Sequence, residues 1–151
     1  MTQPRPFETL KPPPIETLAV TYLTPLMAPL RVLTRIPPNN PNSELLPPDT
    51  FIRVEASSGS ISDSGIMFNV QAIIHSYAPY NEEITAEDNI GTALAWMGNA
   101  QGTTITDPTG WDWYVTYSMV SSLGHRLIDP LTPIARYRGA AMWKLAGRPI
   151  S

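Results

Sequence analysis

The sequence predicts an α+β domain with two helices packed on one face of a mostly antiparallel sheet of about five strands. Three observations lead to this prediction. Segment Ile66–Tyr77 alternates apolar residues with a period of two, as a long half-buried strand does. Segments Ile15–Leu26 and about 81–99 carry apolar residues at helical spacing. The order is helix, three strands, helix, two strands, which is typical of a two-layer sandwich.

Composition limits the class of protein. The chain has 151 residues, enough for one domain, and only 15% of them are charged. A surface with so few charges suits a protein that covers part of it with a partner. The net charge of −3 argues against a surface that binds nucleic acid. The sequence has no run of about 18 apolar residues and no signal-peptide pattern, so no membrane partner is expected. The absence of cysteine excludes disulfides and thiolate chemistry.

Proline is unusually frequent, with 17 residues, and is concentrated in two segments. Residues 1–14 are predicted to form an extended proline-rich arm, and residues 15–151 a single domain. The arm is either a disordered tail or a strap laid on a neighbouring subunit, with Phe7, Leu10 and Ile15 as its anchors. The second segment, Pro37–Asp49, is predicted to be a long, stiff binding loop.

Both helices have identifiable limits. Pro25 is expected to end or kink the first helix near Thr24. The second is expected to begin between Asn81 and Glu83 and to bury one stripe. That stripe comprises Ala86, Ile90, Ala93, Leu94 and Met97. Gly91 weakens such a helix, so we interpret it as a position that permits close packing.

The strands follow from period-two alternation. Besides Ile66–Tyr77, the predicted strands are Leu30–Ile36, Phe51–Ser57, Trp111–Val120 and Ala135–Leu145. The polar stretch between the second and the central strand predicts a hairpin, so these two should be antiparallel neighbours. One face of the fourth strand is expected to hold Trp113, Val115, Tyr117 and Met119, and Trp113 and Trp143 are expected in the core.

No pattern in the sequence indicates catalysis. His75 is a lone histidine in a strand, and His125 with Asp129 and Ser121 or Ser122 lacks the Gly-x-Ser-x-Gly elbow of a triad. The carboxylates Glu82, Glu83, Glu87 and Asp88 suit either a divalent-ion cluster or a solvated helix start, and the second interpretation is favoured. No phosphate-binding loop is found. We therefore expect no enzyme activity, no cofactor and no metal.

Protein contacts are the remaining kind of site. Trp96 lies off the buried stripe of its helix, and Trp111 lies next to a loop, so both are candidate interface residues. The predicted interface set is completed by apolar residues of the two proline-rich segments. It comprises Phe7, Leu10, Leu45, Leu46, Trp96 and Trp111.

The ordered set of segments resembles the tail-terminator proteins of long, non-contractile-tailed phages, especially those of actinobacterial phages. The resemblance covers about Ile15 to Arg148 and rests on fold and surface patterns. The segments that carry it are Ile15–Leu23, Val32–Pro37, Phe51–Glu55, the long strand to Tyr80, the acidic helix start, Leu127–Pro130 and Ala135–Arg138.

The resemblance implies a structural protein of the virion, located in the tail at the head–tail junction and assembled in the host cytoplasm. Such proteins form a ring, expected to be hexameric, on the head-proximal end of the tail tube. The ring stops tube polymerisation and docks the head connector, and phage DNA passes through its lumen without specific binding. The expected partners are copies of this chain, the major tail tube protein and a connector protein.

Two alternatives remain open. One is a neighbouring head-completion or connector protein of the neck, which differs in the partner that it binds. The other is a small α/β enzyme or ligand-binding domain that uses His75, His125 or the carboxylates near Glu83.

Overall fold

The chain forms two helices and a set of strands within residues 9–35, 50–61, 65–128 and 134–150, which the computed structural model describes. The helices are α1 (Ile15–Met27) and α2 (Glu83–Gly98). The strands are β1 (Leu10–Lys11), β2 (Arg31–Leu33), β3 (Phe51–Ala56), β4 (Ser60–Ile61), β5 (Met67–Pro79), β6 (Thr104–Thr106), β7 (Asp112–Tyr114), β8 (Tyr117–Leu127), β9 (Ile134–Ala146) and β10 (Arg148–Pro149).

Six of these strands form the main sheet, in the order β2-β3-β5-β9-β8, with β4 also paired to β5. All pairs are antiparallel except β2 with β3. The predicted α+β class and the antiparallel neighbours β3 and β5 are confirmed. The expected count of about five strands was too low, because β1–β10 and β6–β7 form two further two-stranded sheets. Segments of two or three residues are too short to show an alternation in sequence.

Both helices pack on the same face of the main sheet and form the core with it. The predicted stripe of α2 is confirmed, since all five of its residues are buried. The central strand is also confirmed, because β5 spans Met67–Pro79. The largest buried side chains of this layer include Leu18 and Leu23 of α1, Ile90 and Met97 of α2, and Ile52, Ile74, Trp143 and Leu145 of the sheet.

Helix α1 continues past the proline that was expected to end or kink it. An end near Thr24 is wrong, since the helix reaches Met27 with Pro25 inside it. The carbonyl of Thr21 loses its amide partner to the proline, but this position is exposed and water can hydrate it. Burial of Leu23 and Met27 in the core favours the additional turn.

The predicted strand Trp111–Val120 is wrong as a single element. It is divided into β7, which pairs with β6, and β8, which forms an edge of the main sheet. Trp113 is buried as expected and Val115 is buried with it, whereas Tyr117 and Met119, predicted on the same face, are exposed. The chain changes sheets between these pairs: the amide of Val115 donates to the Thr103 carbonyl (2.9 Å), and the amide of Thr116 donates to the Lys144 carbonyl of β9 (2.8 Å).

The described part of the predicted arm lies against its own domain. Leu10 and Lys11 form β1 and pair with β10, and Pro13 is buried. Ile15 is buried in the core of its own chain, so its prediction as an anchor on a neighbouring subunit is wrong. The chain therefore docks onto its own C-terminal strand before α1 begins.

Candidate interaction surfaces

The face of the main sheet without helices carries a row of basic side chains. Register pairs Arg53 with His75, His75 with Arg138, and Arg138 with His125. Paired residues of neighbouring strands project to the same face. Four strands thus align two arginines and both histidines in one line across the sheet. The sequence showed Arg53, His75 and Arg138 on the less apolar side of their strands, but their alignment depends on the register.

His75 lies at the centre of a polar network within this face. Its Nε2 lies 2.9 Å from Oε1 of Glu55, and Nη2 of Arg136 lies 3.4 Å from its Nδ1. Only 2% of the residue is exposed. Burial lowers the pKa of His75, and the hydrogen bond with His75 lowers the pKa of Glu55. Both observations favour a neutral imidazole that donates from Nε2 and accepts at Nδ1, so neither ring nitrogen is available to a substrate.

Tyr77 extends the same network towards the end of the sheet. Its ring stacks on Phe51 with centroids 4.7 Å apart, and the guanidinium of Arg136 lies 5.5 Å from the ring centroid. Nε of Arg53 donates to the Tyr77 hydroxyl (3.3 Å). The ring face of Tyr77 thus holds Arg136 against the sheet, as aromatic faces commonly do with guanidinium groups, and its hydroxyl holds Arg53.

The β8–β9 half of this face is open to solvent, and we call it the open sheet face. Exposure reaches 43% for Tyr117 and 39% for Met119, and His125 and Arg138 are exposed as well. Strands β8 and β9 contain no Asp or Glu. Tyr, Met and Arg are enriched in protein interfaces. The open sheet face consists of Tyr117, Met119, His125, Arg138, Met142 and Lys144.

Large apolar side chains are exposed at one end of the sandwich, which we call the apolar end. They are Tyr80 (67% exposed), Ile84 (83%) and Ile128 (83%). Tyr80 follows β5, Ile84 lies in the first turn of α2, and Ile128 follows β8. An ion pair between Arg126 and Glu83 joins β8 to α2 beside them. Three large apolar side chains exposed this fully at one end are typical of a surface that contacts another protein.

The predicted interface residues fall in different places. Phe7, Leu45 and Leu46 lie outside the described residues. Trp96 is half-buried and packs against the core. Leu10 is half-buried in β1, next to β10. Their roles in an interface stay predictions.

Trp111, the last member of the predicted interface set, is exposed beside a rigid loop. The guanidinium of Arg148 lies 4.8 Å from the centroid of its ring and donates to Oγ1 of Thr109 (2.9 Å). Arg148 is the register partner of Lys11 in β1. Trp111 therefore lies beside Arg148, on the strand that pairs with β1.

The described residues among those weighed for chemistry do not assemble into a site. The ring of His125 is exposed, and its Nδ1 contacts the Leu123 carbonyl at 3.5 Å. Ser121 Oγ accepts a hydrogen bond from Gln71 (2.9 Å), and Asp129 lies outside the described residues. Within the described ranges, no three His, Asp or Glu side chains converge as metal ligands would.

Comparison with known proteins adds no assignment. No protein-family model matches the chain, and no curated protein matches it either. None of the helices formed by the described residues has the length and apolarity to cross a membrane.

Proposed function

We propose that this chain is the tail terminator of a long, non-contractile-tailed phage and not an enzyme. The observation that carries the proposal is the apolar end, where Tyr80, Ile84 and Ile128 are largely exposed. Burying such side chains against another protein contributes roughly 25 cal/mol per Å² of apolar area. The resemblance of the ordered segments to tail terminators implies that this other protein is the major tail tube protein.

In this role the chain assembles as a ring, expected to be hexameric, on the head-proximal end of the tail tube. A ring needs a heterologous contact that closes by rotation, with two unlike surfaces on each copy. The apolar end then contacts the major tail tube protein. The opposite side of the ring is left for the head connector, and DNA passes through the lumen. The resulting location is the head–tail junction of the virion.

A test uses electron microscopy of the full chain mixed with tail tubes. The unaltered protein is expected to cap one end of each tube and to stop further polymerisation of tube protein. Ile84→Lys places a charge in the apolar end and is expected to abolish capping. Thr104→Lys adds the same charge at an exposed position in β6 and is expected to cap normally.

The alternative is a head-completion or connector protein of the neck. The apolar end suits this function equally well, because it does not specify which protein it contacts. The two functions differ in the partner. Binding to isolated connector or portal proteins together with uncapped tubes would favour the neck protein and contradict the terminator.

A further inference from the structure

The outer surface of α2 has the opposite character from the open sheet face. Glu87 and Asp88 are exposed there, and Thr92 and Ala95 continue the same exposed side. The helix contains no Lys or Arg. It is an acidic and otherwise small-residue surface, whereas the open sheet face is basic and apolar. We define the outer surface of α2 as Glu87, Asp88, Gly91, Thr92 and Ala95.

Gly91 is unexplained by the packing of its own chain. A Cβ built at this position meets no other atom within 4 Å. Glycine in a helix interior costs about 1 kcal/mol relative to alanine. The sequence suggested close packing at Gly91, but the partner of that packing is not found among the described residues. A close approach by another molecule would account for it.

The two surfaces lie on opposite sides of one sheet. Helix α2 packs against the core face through Leu94, whose Cδ1 lies 2.5 Å from a Cβ built at Gly139. Arg138 is the preceding residue of β9 and therefore projects to the other face. The open sheet face and the outer surface of α2 therefore cannot touch within one chain, but they can touch between successive copies. Each copy would then use both surfaces once, which is a heterologous contact.

We propose that the open sheet face of one copy binds the outer surface of α2 of the next copy, and that this contact builds the ring. The inference deepens the proposed function and rests on it. Arg138 and Lys144 of one copy face Glu87 and Asp88 of the next. Tyr117, Met119 and Met142 supply the apolar area, and Gly91 permits the close approach of the facing strand.

Charge complementarity favours the contact between the open sheet face and α2 of the next copy over other contacts that these surfaces could make. Two open sheet faces would bring Arg138 and Lys144 of both copies together, and two α2 surfaces would bring four carboxylates together. Like charges across an interface suppress wrong pairings. A polyanion such as DNA would also be attracted to the open sheet face, but it would leave the acidic surface of α2 and the gap at Gly91 without a role.

The first test reverses the charges. Arg138→Glu with Lys144→Glu, and separately Glu87→Lys with Asp88→Lys, are each expected to weaken self-association of the full chain by at least about tenfold. The chain that carries all four changes presents an acidic sheet face to a basic helix and is expected to regain association. Sedimentation velocity measures the self-association of each variant. Lys11→Glu with Arg35→Glu removes two exposed cations elsewhere and is the matched control.

The second test uses cysteine pairs, which are clean probes because the chain has no cysteine of its own. The double variant Thr92→Cys, Met119→Cys is expected to oxidise to a ladder of linked chains on tube ends. Each single variant is expected to stay unlinked. Dimers from a single variant would reveal a two-fold contact and overturn the head-to-tail arrangement. Thermal unfolding of every variant checks that the fold is retained.

The remaining outcomes separate the inference from the function. Caps and rings that persist in the charge-reversed variants would overturn this contact and leave the terminator function standing. A chain that neither associates nor caps tubes would overturn both. If Arg138→Glu with Lys144→Glu abolishes binding of a short DNA duplex and leaves self-association unchanged, the open sheet face is a nucleic-acid surface and the inference is wrong.

Discussion

The indole nitrogen of Trp143 donates a hydrogen bond to the main-chain oxygen of Met97, at 2.8 Å. Both residues are fully buried. The bond satisfies a carbonyl in the last turn of α2 and joins that turn to β9. The rings of Tyr22 and Trp143 also meet at nearly a right angle, with centroids 5.6 Å apart. One side chain thereby holds both helices against the sheet.

Replacing Trp143 with Phe is expected to destabilise the protein by about 2–4 kcal/mol. The change leaves the Met97 carbonyl without its partner and removes buried ring atoms. Urea denaturation followed by circular dichroism measures it. Trp111→Phe is the matched control, because Trp111 is exposed, and a change below about 1 kcal/mol is expected. Equal losses in both variants would contradict this role of Trp143.

Gly139 and Gly91 are expected to respond to alanine in opposite directions. A Cβ at Gly139 would lie 3.0 Å from the Ser122 carbonyl oxygen and 2.5 Å from Leu94 Cδ1, so Gly139→Ala should cost about 1–3 kcal/mol. Gly91→Ala meets nothing and should stabilise the isolated chain by about 1 kcal/mol. If Gly91 serves a contact between copies, the same change should weaken association. A destabilised Gly91→Ala monomer would contradict the geometry.

Asp107 organises the loop before β7. Its Oδ1 accepts from the amide (2.8 Å) and hydroxyl (2.6 Å) of Thr109 and from the Trp111 amide (3.1 Å), and its Oδ2 accepts from Trp113 Nε1 (2.9 Å). The bonds from Thr109, then Trp113, hold the pKa of Asp107 well below its usual range. A lowered pKa stabilises the fold above the ordinary carboxyl pKa, and this contribution is lost as the pH falls through the folded value.

Asp107→Asn is therefore expected to lower the melting temperature by several degrees at neutral pH. The amide nitrogen of asparagine cannot accept a hydrogen bond, so the contacts of one carboxylate oxygen are lost. The difference from the unaltered protein should shrink below about pH 4. Asp88→Asn removes an exposed carboxylate and serves as the control. A pH-independent difference would show that the charge of Asp107 is not what stabilises the loop.

His75 is expected to make stability fall as the pH drops through its ordinary pKa of 6.5 towards its lower folded pKa. Its folded pKa lies below the ordinary value of 6.5, so the neutral ring stabilises the fold above that value, and the contribution is lost as the pH falls. His75→Gln retains a donor for Glu55 but does not titrate, and should flatten this part of the profile. Calorimetry across the range measures the profile, and an unchanged slope in His75→Gln would contradict the network.

The fold was predictable where a pattern was long. The stripe of α2 and the alternation of β5 each extend over several periods, so hydrophobic spacing alone determined them. The end of α1 was not predictable from the sequence, because the burial of Met27 overrides the local effect of Pro25. Tyr117 and Met119 were placed on the same face as Trp113 because alternation continued across the break between β7 and β8.

The candidate surfaces depended on information that one strand does not contain. Arg53, His75 and Arg138 are far apart in sequence, and only the register of β3, β5 and β9 aligns them. The exposure of Ile84 and Ile128 was equally hidden, since an isoleucine at a helix start or a strand end is more often buried. The charge contrast between α2 and β9 could have been found, because neither segment contains residues of the opposite sign.

The most direct test of the account is electron microscopy of the purified full chain, alone and mixed with tail tubes. The account predicts hexameric rings or a cap on one end of each tube, with tube growth stopped at the capped end. Monomers together with uncapped tubes that continue to grow would contradict it.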